Sequence, residues 1–341
     1  MGNRKAARNI VVIGGSAGAL GPLIQIAGAL PDDFPAALFA VLHTSPDSPG
    51  MIPMIVGRSS ALDVRHAADG ERFEPGCLYV APPDRHLLLS EDRMEVMRGP
   101  RENRARPAID PLFRTAARVF GSRVVGVLLS GVLNDGVYGL MAIKRRGGLA
   151  IVQDPEHADF PDMPKNAIED VDVDHVAPPI EIANLIQELV TESEPAEVPA
   201  MRDGKSRGAD RQEGPRTETI EDPPAGSLAP FACPDCGGAL WETQAGKLTR
   251  FRCHVGHALT AEVLLGGQED EVEAALWVAL RSLEENVELS RRLAKRASDA
   301  GHTRAAQQHQ EHSNEMEQRT ELVRRLLRGD PDASERYRKS S

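Results

Sequence analysis

The stretch that decides the fold is residues 9–18, NIVVIGGSAG. Its run of β-branched residues, 10–13, indicates a strand buried on both faces, and two glycines end it. A helical pattern follows over residues 18–30 and is closed by Pro31. A second apolar run, AALFAVL at 36–42, then indicates another strand. This strand–turn–helix–strand order predicts a parallel sheet with covering helices.

The same alternation continues along the chain to about residue 190. Further apolar runs predict strands at 77–80, 123–129 and 149–152, and a hairpin formed by 87–89 and 94–97. Helical patterns cover 51–58, 137–146 and 179–190, and residues 109–120 are amphipathic. We therefore expect residues 1–190 to form one α/β domain, a three-layer, doubly wound and mostly parallel sheet.

The bulk properties exclude some classes of function. The chain has 341 residues and a formal net charge of −11, which argues against a general nucleic-acid binder because phosphate contacts need a surplus of lysine and arginine. No apolar run approaches the roughly 20 residues that a membrane span requires. We expect no membrane insertion, no secretion and a cytoplasmic location.

Three residues with catalytic chemistry follow predicted strands. Ser16 lies in the G-x-S-x-G turn 14–18, His43 ends the second strand, and Asp135 follows the strand at 123–129. Parallel strands present their carboxyl ends at one edge of a sheet, so these side chains are expected to meet. A serine hydroxyl needs a histidine to remove its proton, and a carboxylate orients that histidine. The sequence predicts a Ser16–His43–Asp135 triad.

Each member also has an ordinary interpretation. A glycine-rich turn after a first strand often binds a dinucleotide, although G-x-G-x-x-G cannot be placed on Gly14 or Gly15. His43 could be a strand-end histidine without a role, and Asp135 could cap the following helix. Their joint placement at strand ends favours the triad. The order Ser, His, Asp differs from that of the lipase-type α/β-hydrolases, so their fold is not expected.

Residues 9–190 resemble the catalytic domain of the CheB-type protein-glutamate methylesterases. The resemblance runs through VVIGGSAGAL, AVLHTSP, DGERFEPGCLYVAPPDRHLLL, RPAIDPLF, GVLLSGVLNDGVYGLMAIKRRGGLAIVQDP and DMPKNAIE. It implies a Ser-His-Asp hydrolysis of glutamate methyl esters on methyl-accepting chemotaxis receptors, with release of methanol, and also deamidation of receptor glutamines. It further implies that the backbone amides of Ala17 and Val132 form the oxyanion hole. No cofactor is expected for catalysis.

The chain departs from the family pattern at two places. Family members commonly carry a phosphorylated receiver domain before the catalytic strand, which here begins near Asn9, so a separate response regulator or histidine kinase is a candidate partner. The family's Gly-Met-Gly turn before the aspartate is Gly131-Val132-Leu133 here, and leucine lacks glycine's freedom at positive φ. A signalling adaptor that binds receptor or kinase helices without turnover is therefore the alternative function.

A cysteine-rich module is expected at residues 230–265. Cys233 and Cys236 form C-x2-C, and Cys253 and His257 form C-x3-H after a 16-residue gap. This spacing favours a closed, structural Cys3His zinc site. His254 is the rival fourth ligand, and a redox C-x-x-C is the other alternative, which would leave Cys253 and His257 unexplained. Similar modules follow the catalytic domain in some methylesterase-like proteins.

Two further segments complete the predicted organisation. Residues 191–229 are rich in charge and proline and poor in large apolar residues, so a disordered linker is expected. Residues 266–330 show helical apolar stripes interrupted at Gly301, which predicts a helical tail shaped as a hairpin. The stripes could pack on each other, on the cysteine module, on another copy or on a coiled-coil partner.

Overall fold

The computed structural model describes residues 8–191, 226–246 and 248–328. Most of the predicted linker, residues 192–225, lies outside the described residues, as do the last two residues of the predicted tail. The described chain divides into two compact units, with the boundary after Leu264.

The first unit is built on a seven-stranded sheet in which every pair of neighbours is parallel. The strand order is β3-β4-β2-β1-β7-β8-β9, and β5 and β6 form a separate antiparallel hairpin. In chain order the strands are β1 (Ile10–Gly15), β2 (Ala37–Leu42), β3 (Asp63–His66), β4 (Cys77–Val80), β5 (His86–Leu89), β6 (Met94–Met97), β7 (Val124–Leu128), β8 (Leu149–Gln153) and β9 (His175–Ala177).

Helices cover both faces of this sheet. They are α1 (Leu20–Ala29), α2 (Ile52–Gly57), α3 (Ile109–Phe120), α4 (Val137–Arg145), α5 (Asp162–Asp170) and α6 (Pro179–Thr191). Side chains alternate along β1, so Val11 and Ile13 pack with α1, α2 and α6, while Ile10 and Val12 pack with α3, α4 and α5. Both faces of the central strands are therefore buried, which explains their continuous apolar runs.

The three-layer α/β architecture confirms the predicted fold class. Three short elements, β3, β9 and α5, were not predicted. The edge strand β3 (DVRH) carries exposed and half-buried polar residues, and β9 has only three residues. Neither offers the apolar run or clean alternation on which strand prediction depends.

The cysteine-rich region forms a four-stranded antiparallel sheet within the first unit. Its strands, in order, are β10 (Ser227–Ala232), β11 (Ala239–Ala245), β12 (Leu248–Cys253) and β13 (Ala258–Thr260). Leu240, Phe251 and Leu259 form its small core. Leu248 instead joins the apolar cluster of α3 and α4, so this module packs directly on the α/β domain.

Two helices follow, α7 (Ala261–Asp299) and α8 (Thr303–Leu327). Gly301, at φ +75°, lies between them, as the sequence pattern indicated. In the second unit they pack on each other, with ion pairs that join Arg291 to Glu317 and Arg324 to Glu284. The two helices lie where the sequence predicts a helical hairpin. Among the described residues, no helix is long and apolar enough to cross a membrane.

Candidate active site

The nucleophile candidate and the histidine follow neighbouring strands. Strands β1 and β2 pair in parallel up to Gly15 opposite Leu42, and the His43 amide donates to the Gly15 carbonyl oxygen at 3.1 Å. Ser16 and His43 are therefore the next residues on adjacent strands, at the carboxyl edge of the sheet. Within the described chain no hydrogen bond links the Ser16 hydroxyl to His43, and both residues are half-buried.

His43 bonds to the third predicted residue. Its Nε2 lies 2.7 Å from Oδ2 of Asp135, which follows β7 on the other side of β1. An ionised carboxylate only accepts, so Nε2 carries the proton and Nδ1 keeps the free lone pair. The basic nitrogen of His43 is thus Nδ1, which is the atom available to take a proton from Ser16.

Four donors hold the Asp135 carboxylate, which is 2% exposed. Besides His43, Oδ2 accepts from the Ile109 amide at 2.7 Å, while Oδ1 accepts from Asn103 Nδ2 at 2.8 Å and from the Asp110 amide at 3.3 Å. Burial alone would raise the pKa of Asp135, but the hydrogen bond and charge of His43, with the Ile109 and Asn103 donors, lower it below the ordinary value. Asp135 is held as the anion.

A second buried carboxylate, Asp110, lies behind Asp135. Its Oδ1 accepts from the amides of Gly136 and Gly139 at 3.2 and 2.8 Å, which fixes the start of α4 to the start of α3. Burial and the neighbouring charge of Asp135 raise the pKa of Asp110 to about 6. Two carboxylates at one site are pushed apart in pKa, and here Asp135 is the one that stays ionised.

Two backbone amides near Ser16 are available to a ligand. In the described part of the chain, the amides of Ala17 and Val132 make no hydrogen bond, whereas that of Ser16 donates to the Ser130 carbonyl oxygen and that of Gly131 to the Phe160 carbonyl oxygen. These two amides are the ones predicted for the oxyanion hole. Free N–H groups beside a nucleophile can stabilise a developing oxyanion.

The turn that departs from the family pattern holds a residue other than glycine in the left-handed region. Leu133 adopts φ +62°, the left-handed region where a glycine is favoured. Its side chain is 44% exposed, and its carbonyl oxygen accepts from Asn166 Nδ2 at 2.9 Å. Leu133 therefore holds a backbone conformation that is strained for a residue other than glycine.

The predicted metal ligands come together in the cysteine module. Ligand atoms of Cys233, Cys236, Cys253 and His257 all lie within 4.8 Å of one another. His254 is not part of this cluster, and its ring lies against that of Trp241 with centroids 6.2 Å apart. The redox alternative leaves this four-residue convergence unexplained.

The ligand spacings fit a tetrahedral ion. Sγ of Cys236 and Sγ of Cys253 are 3.7 Å apart, and Nδ1 of His257 is 3.5 Å from Sγ of Cys253 and 3.7 Å from Sγ of Cys233. Tetrahedral zinc with bonds of about 2.3 Å to sulfur and about 2.05 Å to nitrogen requires edges of roughly 3.5–3.8 Å. The thiols are free, not disulfide-bonded.

Sequence reasoning missed the residues that support the aspartate. Asn103 sits in an arginine-rich loop with no pattern that points to the site. Asp110 falls in the RPAIDPLF motif, two residues into a helix, where a carboxylate is ordinarily a dipole partner. Only its buried position beside Asp135 marks it as part of the site.

Together these features define a class of protein. A serine on a glycine turn, a histidine and a buried carboxylate meet at the carboxyl edge of a parallel sheet, between strands β2, β1 and β7. Strands β2 to β4 lie on one side of β1, and strands β7 to β9 lie on the other. Open α/β sheets bind ligands in the crevice at the carboxyl ends of the strands where the order changes in this way, and the three residues lie at that crevice. The fold and site are those of an α/β serine hydrolase.

Comparison with known proteins identifies the family. Residues 11–186 match the CheB methylesterase family. A relative from Leptospira interrogans, named putative protein-glutamate methylesterase/protein-glutamine glutaminase, is 39% identical over 180 residues, which cover 52% of this chain and 93% of the relative. A Thermotoga maritima protein-glutamate methylesterase/protein-glutamine glutaminase is 36% identical, and the match covers 54% of its length.

A solved structure agrees. The crystal structure of the Thermotoga maritima CheB methylesterase catalytic domain matches with a TM-score of 0.53 and 35% identity, over 54% of this chain and all of that one. The chain belongs to the CheB methylesterase family. The cysteine module and the helical hairpin lie outside the residues that match the family.

Proposed function

We propose that this chain is a protein-glutamate methylesterase that hydrolyses glutamate methyl esters on chemotaxis receptors. The observation that carries the proposal is the 2.7 Å contact between His43 Nε2 and the anionic Asp135, which leaves Nδ1 as the basic nitrogen of a histidine that follows the strand next to that of Ser16. Family membership supplies the substrate class, because the relatives are named for this activity.

The reaction divides into two acyl-transfer steps. His43 Nδ1 takes the Ser16 hydroxyl proton as Oγ attacks the ester carbonyl carbon, and the oxyanion is held by the amides of Ala17 and Val132. The ester C–O bond then breaks, and methanol leaves with the proton from His43. Water attacks the acyl-enzyme with His43 again as base, which frees the glutamate carboxylate and Ser16. Asp135 stabilises the imidazolium in both steps.

The same chemistry would act on a glutamine side chain, with ammonia as the leaving group in place of methanol. The names of the relatives include this second activity. Deamidation is the harder reaction because the amine must be protonated before it leaves, a role that His43 as general acid can fill.

A protein substrate suits the surface around Ser16. Val132, Leu133 and Phe160 are 40–44% exposed, and they lie on loops that flank the serine turn. An exposed apolar rim of this kind favours docking of a protein surface. We place the reaction in the cytoplasm, on the cytoplasmic helices of receptors, with input from a separate response regulator or histidine kinase.

The activity is tested with a methyl-labelled receptor fragment. Wild-type protein should release methanol, and Ser16→Ala should reduce the rate at least 10³-fold because it removes the nucleophile. Ser90→Ala, a serine in the turn between β5 and β6, is the matched control and should keep the wild-type rate. Failure of the wild-type protein to release methanol from several receptors would favour the adaptor function instead.

The Cys3His cluster is proposed to hold one structural zinc ion. Four protein ligands leave no open coordination position, so the ion would stabilise the module rather than take part in hydrolysis. Metal analysis after removal of loosely bound ions should find about one zinc per chain in wild type and in His254→Ala. Cys236→Ser should lose it.

A further inference from the structure

The catalytic aspartate is connected to the cysteine module through side chains that the family chemistry does not use. Asn103 donates to Asp135 and also accepts, through Oδ1, from the Thr260 amide at 3.2 Å. Its own amide donates to the Ala258 carbonyl oxygen at 2.7 Å. Ala258 and Thr260 are the ends of β13, so one residue joins the module to the triad.

The segment before Asn103 extends the sheet of the module. The Ala258 amide donates to the Arg101 carbonyl oxygen at 3.3 Å, and Glu102 forms a parallel bridge with Ala258. Asn103 and Arg104 then turn through φ +49° and +60°, a conformation that side chains other than glycine adopt at a cost. Pairing with β13 is one of the contacts that hold this segment in place, beside the ion pair of Glu102 with Arg114.

A second link reaches the loop on the other side of Asp135. Asn134, 3% exposed, accepts from the Thr260 hydroxyl at 2.7 Å and donates to Glu262 Oε2 at 2.7 Å. Both partners belong to the module end of the chain, and Asn134 immediately precedes the aspartate. The module therefore holds Asp135 from two directions.

A third link is electrostatic. Arg250, on β12, lies 3.3 Å from Glu102 and 3.8 Å from Asp110, and its guanidinium stacks 4.0 Å from the centre of the Tyr138 ring. The buried Arg114 pairs with Glu102 at 2.8 Å. Three carboxylates, those of Glu102, Asp110 and Asp135, are thus buried close together. Their cationic partners include Arg114 from the α/β domain and Arg250 from the module, in addition to His43.

The residues that make these contacts flank two of the metal ligands in the sequence. Arg250 lies three residues before Cys253, and Thr260 lies three residues after His257. An ion that ties Cys253 and His257 to Cys233 and Cys236 would set the spacing between β12 and β13. The positions of Arg250, Ala258 and Thr260 would then depend on the metal.

We propose that the cysteine module is a metal-dependent brace for the catalytic aspartate. Zinc bound by Cys233, Cys236, Cys253 and His257 holds β12 and β13. Strand β13 in turn holds Asn103 against Asp135 and holds Asn134, the residue before Asp135, in place. Asn103 is a positioning residue: it orients Asp135, which orients His43. Loss of the ion would make the position of Asp135 less fixed, although none of the four metal-ligating residues belongs to the triad. The inference rests on the proposed function for its kinetic readout only.

The readout that does not depend on substrate is the His43 ring itself. Proton NMR of the full chain should show a downfield resonance from the Nε2 proton shared with Asp135. Asn103→Ala and Thr260→Val should weaken or shift it, and they should lower kcat about 10- to 100-fold with little change in KM, as removal of supporting groups does elsewhere. The pH below which this resonance is lost should also move upward in Asn103→Ala, because removing a donor that stabilises ionised Asp135 raises the pKa of that carboxyl.

The metal arm uses Cys236→Ser and chelation of the wild type, with His254→Ala as the control that keeps all four ligands. Both treatments should remove zinc and reproduce the change in the His43 resonance, whereas His254→Ala should retain the zinc and the resonance. An unchanged His43 resonance after verified zinc loss would overturn the brace. If Cys236→Ser unfolds the whole chain, Thr260→Val, which leaves the ligands intact, decides: a wild-type resonance and kcat would contradict the proposal.

The two proposals fail in different ways. Wild-type protein that shows the downfield resonance but releases no methanol would count against the methylesterase and leave the brace standing. Methanol release that is unchanged by zinc removal and by Thr260→Val would support the methylesterase and count against the brace.

Discussion

The turn that carries Ser16 and the turn that carries Asp135 leave adjacent strands, β1 and β7, but they are built differently. The Ser16 turn is made of backbone and small residues, with glycines where neighbours leave no room for a side chain. The Asp135 turn is held by side chains and amides from residues 103, 109, 110 and 260, which are distant in sequence. We call the Ser16 turn the local turn, because its own residues are enough to predict its conformation. We call the Asp135 turn the anchored turn, because its conformation depends on contacts with residues that are distant in the sequence.

The largest expected effect is at the anchored turn, with Asp135→Asn. The amide would keep the shape but would favour the wrong histidine tautomer, because it offers an N–H where an acceptor is needed. Turnover should fall about 10⁴-fold, as for the same change in a serine protease triad. Kinetics on a methylated receptor fragment checks it, and a loss below tenfold would show that the orienting carboxylate lies elsewhere.

At the local turn, the expected effect of a substitution is a steric clash. A methyl group at Gly15 would lie 2.4 Å from Cβ of Ala19 and 3.3 Å from Cβ of Leu129, neither of which can rotate away. Gly15→Ala should destabilise the fold by about 1–3 kcal/mol, as overpacking does in other cores. Urea unfolding followed by circular dichroism measures the change.

Gly266→Ala is the control for that substitution. Gly266 lies within α7, and a methyl group there meets no atom within 4 Å outside its chain neighbours. Because alanine is the better helix former, this variant should gain about 0.5–1 kcal/mol. Equal effects of the two variants would show that the close approach at Gly15 is not what demands glycine.

The anchored turn should also have a signature in pH. The pKa of Asp110 is raised to about 6, so its protonated form favours the folded state and its contribution is lost as pH rises from about 4 to 6. Asp135 acts with the opposite sign, since its lowered pKa gives stability that is lost as pH falls below the ordinary carboxyl range.

Asp110→Asn isolates the first contribution. The variant keeps Oδ1 as an acceptor for Gly136 and Gly139 but has no charge to bury. Its stability relative to wild type should rise by on the order of 3 kcal/mol between pH 4 and pH 7, since one unit of pKa is about 1.4 kcal/mol. Unfolding free energies at several pH values test this, and a constant difference would contradict it.

The smallest expected effect is relief of strain at Leu133. Leu133→Gly should stabilise the chain by up to about 1 kcal/mol, because glycine adopts a φ of +62° freely and the exposed leucine loses little burial. Val132→Gly, at a neighbour of similar exposure without a positive φ, should destabilise instead. Thermal unfolding compares the two, and the same sign for both would mean that backbone strain is not the cause.

The sequence by itself determined the α/β class and the helical hairpin, because long apolar runs and helical periodicity depend on neighbours in the chain. It also pointed to Ser16, His43 and Asp135 and to the four Cys3His residues, since strand ends and ligand spacing are local patterns. Their roles remain predictions, although the structure brings each set together.

Only the tertiary structure decided what supports these residues. Asn103, Asp110 and Thr260 carry no local signal, and their meaning comes from a carboxylate or an amide that folding brings to within hydrogen-bond distance. Burial makes those contacts important for stability, because a buried polar group without a hydrogen-bond partner costs free energy. The assignment of His43 Nδ1 as the base also comes from the tertiary structure, because it follows from the contact of the other ring nitrogen with Asp135. The amino-acid sequence does not indicate which nitrogen makes that contact.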